Sequence, residues 1–220
     1  MKEIGGYLEL DNFVDNEYYK NYLRFNLSRK CLDFIEKRNI KKIYLPHFLC
    51  DSVNPKCEIE KYRINKNFIP ILDKKIKENE YVYIVNYYGQ ITNEIILELK
   101  NKYNNIIVDN VQAFFQEAII GIDTIYSCRK FFGLADGAYL STNLENNSLD
   151  TDKSFDRMLH ILGRYENSGN EFYSNYKENE EKLNNCRILK MSKLTHNLLK
   201  AINYKEVIER RNENYEILYK

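Results

Sequence analysis

Residues 106–133, IIVDNVQAFFQEAIIGIDTIYSCRKFFG, contain two short apolar runs that each end on polar residues. The first run ends at Asp109 and is followed by Gln112, and the second ends at Ser127 and is followed by Lys130. Short apolar runs bounded by polar clusters are typical of buried strands. The pattern therefore predicts two neighbouring strands whose ends direct a carboxylate and a lysine at the same ligand.

The flanking sequence predicts further strands and helices. Apolar residues recur with helical spacing in SRKCLDFIEKRN (28–39), IPILDKKIKEN (69–79) and TNEIILELKNKYNN (92–105). Strands are predicted for KKIYLP (41–46), CEIEKYRI (57–64), YVYIVNYYG (81–89) and DGAYLSTN (136–143). Strands separated by helices indicate βαβ units, so we expect an α/β fold with a mostly parallel sheet between helices.

The chain changes character near residue 150. Residues 1–150 carry all the predicted strands, whereas residues 151–220 are mostly helical in their periodicity. No Pro/Gly/Ser-rich linker separates the two parts. We therefore expect an α/β domain at 1–150 and a helical section at 151–220 that packs on it.

Composition excludes several classes of function. The 220 residues include 33 basic and 32 acidic residues, so no overall field attracts nucleic acid or an anionic membrane. No signal-peptide core or apolar run of ~18 residues is present, and we expect a cytoplasmic protein. The five scattered cysteines include no C-x-x-C pair, which argues against a disulfide framework and a structural zinc site. No G-x-G-x-x-G or Walker A loop supports a Rossmann-like nucleotide binder.

The candidate site residues follow from the predicted sheet. Ligands of open α/β sheets bind beyond the carboxyl ends of the strands, where Asn86, Asp109, Ser127 and Lys130 are placed. Each residue alone has an ordinary alternative, because an Asp after a strand is often a helix N-cap and a Lys is often a solvated charge. The four residues together are stronger evidence for a ligand site than any one of them alone.

Taken together, these motifs resemble the fold-type-I pyridoxal-phosphate enzymes, and most closely the DegT/DnrJ/EryC1/StrS sugar aminotransferase family. IIVDNVQAFF is similar to the family's strand with Asp-x-x-Gln, and IYSCRKFFGLADGAYL resembles its serine strand, cofactor lysine and following strand. SRKCLDFI, IYLPHFLCDSV and VNYYGQ fall in the family's order before them. The resemblance implies an aspartate-aminotransferase-like large domain.

The resemblance also assigns roles around the cofactor, pyridoxal 5'-phosphate. Lys130 is implied to form the covalent bond to the cofactor and to carry protons as the catalytic residue, which requires a positioned amine that we expect to be partly buried. Asp109 is implied to pair with the pyridine nitrogen, Gln112 with the phenolic oxygen and Ser127 with the phosphate.

The phosphate loop departs from the family's pattern. Ser28, Arg29 and Lys30 stand where small residues are usual, so the two cations either bind the phosphate by charge or reshape the pocket. A helix N-cap followed by solvated charges is an equally open interpretation. The ring-stacking aromatic of the family aligns nearer Cys50 than Phe48, so either Phe48 takes that role or the site stacks differently.

The implied activity is transfer of an amino group from an amino acid, glutamate being expected, to a keto group on a nucleotide-linked sugar, in surface polysaccharide or amino-sugar biosynthesis. The family acts as homodimers, and His160 and Arg164 lie in a segment that is either an interface element or an ordinary helix. The sequence ends where the family's small domain begins, so a C-terminally shortened chain is implied. A non-catalytic or regulatory scaffold of the same fold is therefore the alternative.

Overall fold

A computed structural model describes residues 8–146 and 148–219. Within these residues a single mixed sheet of eight strands forms the centre of the molecule. The strands are β1 (Leu23–Phe25), β2 (Lys42–Pro46), β3 (Glu58–Ile64), β4 (Pro70–Ile71), β5 (Glu80–Val85), β6 (Ile106–Asp109), β7 (Asp123–Ser127) and β8 (Ala138–Ser141). Their order across the sheet is β1-β8-β7-β6-β5-β2-β3-β4.

The middle of the sheet is parallel and its margins are antiparallel. β7, β6, β5, β2 and β3 run in the same direction, whereas β8, β1 and β4 pair antiparallel with their neighbours. The predicted α/β class with a mostly parallel sheet is confirmed. The carboxyl ends of β5, β6 and β7 lie side by side, so the polar residues that follow these strands are brought to one edge.

Helices cover both faces of the sheet. The helices are α1 (Ser28–Ile35), α2 (Asn93–Tyr103), α3 (Leu159–Glu166), α4 (Tyr173–Asn184), α5 (Lys193–Leu199) and α6 (Tyr204–Tyr219). Because strand side chains alternate between faces, Ile107 packs in the core under α1, whereas Ile106 and Val108 pack in the core under α2. Asp109 lies two residues after Ile107, so its side chain lies on the same face of the sheet, the face covered by α1.

The helix predicted for residues 69–79 is wrong. The Asn65 side chain accepts hydrogen bonds from the backbone N–H groups of Asn67 (2.9 Å) and Ile69 (3.0 Å), which fixes a tight turn. The turn sends the chain back as β4, antiparallel to β3, and the segment that follows is irregular. Tertiary pairing overrides the helical spacing of Leu72 and Ile76, which still pack in the core under α2.

The C-terminal section is helical, as expected, and it packs on the sheet domain. The Asn26 N–H donates to the Leu189 carbonyl (3.0 Å), and the Ser192 hydroxyl caps α5 by accepting from the Thr195 N–H (3.0 Å). Met191 and Leu199 are buried in an aromatic-rich core on the far side of β8. Every helix in the described part of the chain is too short or too polar to cross a bilayer.

Candidate functional site

A cavity of about 720 Å³ lies at the carboxyl ends of β5, β6 and β7, beside the start of α1. Its volume is in the range of ~300–1,000 Å³ that is usual for cofactor and small-ligand sites. The cavity is lined by seven of the eight residues predicted for the cofactor site: Ser28, Arg29, Phe48, Asp109, Gln112, Ser127 and Lys130. Residues separated by up to 102 positions are therefore brought together.

The eighth residue, Lys30, lies outside the cavity. Its amine pairs with the Asp33 carboxylate at 2.8 Å, one helical turn further along α1. The predicted contact of Lys30 with a phosphate is not supported by this geometry. Of the two cations in the SRK segment, the structure brings only Arg29 to the site.

Asp109 closes the floor of the cavity at the end of β6. It is 6% exposed, and its two carboxylate oxygens accept hydrogen bonds from the Tyr83 hydroxyl (2.8 Å) and the Val111 N–H (2.8 Å). Burial raises the pKa of the Asp109 carboxyl, while the two donors and the Lys130 charge oppose that rise. Each oxygen retains acceptor capacity, so this carboxyl group is suited to bind a buried cation or N–H donor.

Lys130 follows β7 in a short 3₁₀ turn, Cys128–Lys130, and its side chain reaches the cavity from the opposite side. The expectation that Lys130 is partly buried is wrong, because the residue is exposed. Its amine makes no hydrogen bond or ion pair with any other residue of 8–146 and 148–219. The amine is therefore free of internal partners and accessible to a ligand.

The start of α1 forms one end of the cavity. Leu27 is the residue before the helix and provides no side-chain cap, so the Ser28 N-cap interpretation is wrong and Ser28 is the first helical residue. Helix geometry leaves the first N–H groups without intrahelical acceptors. Ser127 is 2% exposed, lines the same cavity, and its hydroxyl makes no hydrogen bond within the described part of the chain. Backbone N–H groups and a free hydroxyl are a suitable donor set for a phosphate.

An aromatic group lies on one wall of the cavity. The Phe48 ring stacks on Tyr87 with centroids 5.4 Å apart and an angle of 22° between the planes. Phe48 is 59% exposed, so one of its faces is open. Cys50, the other position considered for ring stacking, also lines the cavity and is an exposed free thiol whose Sγ lies 3.1 Å from the Ser52 hydroxyl. Both positions therefore reach the site, and only Phe48 offers a ring.

Four further residues complete the site and were missed in the sequence: Tyr83, Arg129, Glu180 and Asn184. Tyr83 lies inside a continuous apolar strand, where nothing in the pattern shows which face it occupies. Arg129 precedes the singled-out lysine and pairs with Glu180. Glu180 and Asn184 belong to α4, and no local motif links that helix to the strands.

Asn86, a candidate from its position at a strand end, has a structural role. Its amide nitrogen donates to the side chains of Asn110 (3.1 Å) and Gln116 (2.8 Å), and its oxygen accepts from the Ile91 N–H (2.9 Å). The side chain is fully buried, and it does not line the cavity. These hydrogen bonds of the Asn86 side-chain amide stabilise the turn after β5.

A second cavity of about 750 Å³ lies on the other side of Lys130, between the 3₁₀ turn and helices α3 and α4. Arg129, Lys130 and Glu180 line both cavities. His160 and Arg164 line the second cavity, and burial lowers the pKa of the His160 imidazole. Lys130 therefore lies between two cavities and lines both of them.

The donor set of the first cavity is compatible with pyridoxal phosphate. Asp109 supplies a buried acceptor for a pyridine N–H, Lys130 supplies a free amine, and Ser127 with the start of α1 supplies donors for a phosphate. One nitrogen of the Arg129 guanidinium, Nη1, is buried in the described structure without a hydrogen-bond partner. A bound anion would supply an acceptor for this donor.

The comparisons with known proteins give only distant similarities. The sequence matches no protein-family model and no curated protein. The similar solved structures include DesV of S. venezuelae (16% identity, covering 67% of this chain and 44% of that chain, TM-score 0.44) and a DegT DnrJ EryC1 StrS aminotransferase of Brucella abortus (13%, 56% and 42%, TM-score 0.43). A proposed aminotransferase of Burkholderia pseudomallei is similar at 14% identity over 56% of this chain and 44% of that chain, with a TM-score of 0.45.

The chain spans less than half the length of each of these structures. Their identities are below 25% and their TM-scores below 0.5, so the similarities are too distant to establish a family, cofactor or activity for this chain. They do include the aminotransferase family that the sequence motifs resemble.

Proposed function

We propose that the chain binds pyridoxal 5'-phosphate in the cavity at the ends of β5, β6 and β7 and acts as an aminotransferase. One observation carries the proposal: a buried acid, a free lysine amine and the first turn of a helix line the same cavity. The three groups match the three chemically distinct ends of the cofactor. When bound, the cofactor supplies an electron sink for reactions at the α-carbon of an amine substrate.

Asp109 has the role of keeping a proton on the pyridine nitrogen. The carboxyl group is held in place by Tyr83 and by the Val111 N–H, so its orientation does not depend on the ligand. Burial raises its pKa, and a cationic partner in the same low-dielectric setting favours the ionised form. The unfavourable burial of this charge in the free protein becomes a favourable pairing with the ligand.

Lys130 has the role of covalent anchor and proton carrier. Its amine has no competing partner in the described structure, and it faces both cavities. An amine that is released from the cofactor in this position can take a proton from one atom of the bound substrate and return it to another. Gln112 lines the same cavity and supplies a side-chain amide for the phenolic oxygen of the cofactor.

Ser127, the start of α1 and Arg29 have the role of binding the phosphate. Ser127 contributes a hydroxyl, the first turn of α1 contributes N–H groups, and Arg29 contributes a charge at the rim. Phe48 is assigned to contact the ring of the cofactor, since it lines the cavity and its ring is largely exposed.

The substrates are assigned from the resemblance of the motifs. We take glutamate as the amino donor and a keto group on a nucleotide-linked sugar as the acceptor, with amino-sugar or surface polysaccharide biosynthesis as the setting. A homodimer in the cytoplasm is part of the same assignment. The second cavity supports it by offering space next to Lys130 for a substrate larger than an amino acid.

A visible absorption titration tests the proposal. Addition of pyridoxal phosphate is expected to produce the yellow absorption band of lysine-bound cofactor, and subsequent addition of glutamate is expected to bleach it. Lys130→Ala is expected to abolish the band. Lys75→Ala, which removes an exposed lysine far from the cavity, is the matched control and is expected to retain it.

The titration also separates the proposal from its alternative. A band that forms on Lys130 but persists with every amino acid and keto acid supports a non-catalytic scaffold that still holds the cofactor. No band in the wild-type protein at saturating cofactor contradicts the proposed cofactor site altogether.

A further inference from the structure

Helix α4 lies along the end of the cavity formed by the start of α1 and holds both arginines of the cavity. The Arg29 guanidinium donates to the Asn184 side-chain oxygen at 2.7 Å, and Arg129 forms an ion pair with Glu180. Both arginines line the cavity that contains Ser127. Two of the three cationic residues that line the cavity are therefore paired with side chains of one helix.

The Arg129–Glu180 pair is incomplete on the arginine side. Nη2 of Arg129 donates to one oxygen of Glu180, while Nη1 is buried without a partner in the described structure. A planar guanidinium binds best when two of its N–H groups meet two oxygens of one anion. A phosphate group offers three oxygens, so it satisfies the nitrogen that the single contact with Glu180 leaves free.

Helix α4 is held against the body by few contacts. Asn179 and Leu183 are its buried residues, and both polar atoms of the Asn179 side chain lack partners within residues 8–146 and 148–219. Buried polar atoms without partners weaken the packing of the surface that carries them. A helix with little buried apolar surface and unsatisfied polar groups belongs to the parts of a fold that open at low cost.

We propose that Arg129 is an anion-binding residue of the cavity and that Glu180 occupies it as an internal competitor until a phosphate-bearing ligand displaces it. Helix α4 is then a strap that closes the anion-binding end in the free protein and loosens when the ligand binds. The inference rests on the proposed cofactor cavity for its location. It requires only a phosphate group and not the chemistry of Lys130.

Binding of inorganic phosphate by calorimetry tests the competition. Glu180→Gln removes the competing charge and is expected to tighten phosphate binding about fivefold, the factor that corresponds to one partly buried ion pair. Glu181→Gln is the matched control, because it makes the same change of charge at an exposed residue of α4 outside both cavities. Arg129→Gln is expected to weaken binding about tenfold.

Hydrogen exchange of the wild-type protein tests the strap without any substitution. Saturating phosphate is expected to speed the exchange of amides in residues 173–184. Unchanged or slowed exchange in that segment overturns the strap, and equal phosphate affinities of the Glu180→Gln and Glu181→Gln variants overturn the competition.

The result is separable from that of the cofactor titration. Phosphate competition with no visible band supports the strap and contradicts the cofactor assignment, whereas a band on Lys130 with no competition does the reverse.

Discussion

The hydrogen bond from Tyr83 to Asp109 gives a prediction whose magnitude follows from the structure. Both side chains are buried, the distance is 2.8 Å, and the acceptor is a carboxylate. Burial, followed by the charge of Asp109, raises the pKa of Tyr83, so the phenol stays a donor across the working range of pH. Tyr83→Phe removes the hydroxyl and leaves the ring and its packing in place.

The expected loss depends on pH through Asp109. A hydrogen bond to a charged group contributes about 1.5–3 kcal/mol, and one between neutral groups contributes about 1 kcal/mol. Losing the donor raises the pKa of the Asp109 carboxyl further. When a carboxyl has a higher pKa in the folded state than in the unfolded state, the protein loses stability as the pH rises towards the folded-state pKa. The deficit of the variant is therefore about 2 kcal/mol at pH 8 and about 1 kcal/mol at low pH, where the carboxyl is protonated.

Urea unfolding of the free protein at pH 8 and at pH 3, below the ordinary pKa of an Asp carboxyl, measures this difference. For a chain of this length, 2 kcal/mol corresponds to a fall of about 4–8 °C in Tm. Tyr62→Phe is the matched control, since the buried Tyr62 hydroxyl donates to the neutral Tyr83 carbonyl at 2.7 Å. Its loss is expected to be about 1 kcal/mol at both pH values. Equal deficits of Tyr83→Phe at pH 8 and pH 3 would refute the coupling.

Three further substitutions have expected outcomes. Asp109→Asn removes a buried carboxyl group whose pKa is raised. The stability of the variant relative to the wild type is therefore expected to increase from pH 4 to pH 8 in urea unfolding, and its affinity for pyridoxal phosphate is expected to fall. Ser127→Ala is expected to weaken binding of pyridoxal phosphate about fivefold in a spectral titration and to leave binding of unphosphorylated pyridoxal unchanged. Gly137→Ala is expected to cost about 1–3 kcal/mol in urea unfolding, because φ is +100° and the new Cβ lies 2.9 Å from Cγ2 of Thr195, whereas Gly133→Ala is neutral as a control.

The ends of the central strands are predictable from the sequence because two simple rules act there. Parallel strands end at one edge of a sheet, and side chains two residues apart share a face. These rules place Asp109 beyond Ile107 and Ser127 beyond Ile125, on the face covered by α1. The convergence of the polar side chains follows from topology alone.

Other parts of the site depend on contacts that no local pattern encodes. Tyr83 lies in a strand that is apolar on both faces, so alternation does not distinguish a packing tyrosine from one that supports Asp109. The pairing of Arg129 with Glu180 joins residues 51 positions apart through a helix with a polar surface. The exposure of Lys130 likewise depends on how the 3₁₀ turn presents it, which spacing does not specify.

The segment at 69–79 shows how a correct periodicity leads to a wrong element. Leu72 and Ile76 have helical spacing and do reach the core, but the turn fixed by Asn65 commits the chain to an antiparallel edge strand first. The spacing of apolar residues indicates which side chains are buried. The backbone conformation of the segment depends in addition on its hydrogen bonds, here those of the turn at Asn65.

We propose that Lys130 is the residue that bonds covalently to pyridoxal phosphate. Incubation with the cofactor, reduction with sodium borohydride and mass spectrometry of the digested protein identify the modified residue directly. One stable cofactor adduct is expected on the peptide that contains Lys130, with no adduct in the Lys130→Ala variant. Modification of other lysines at the same level, or an adduct that persists in Lys130→Ala, would contradict it.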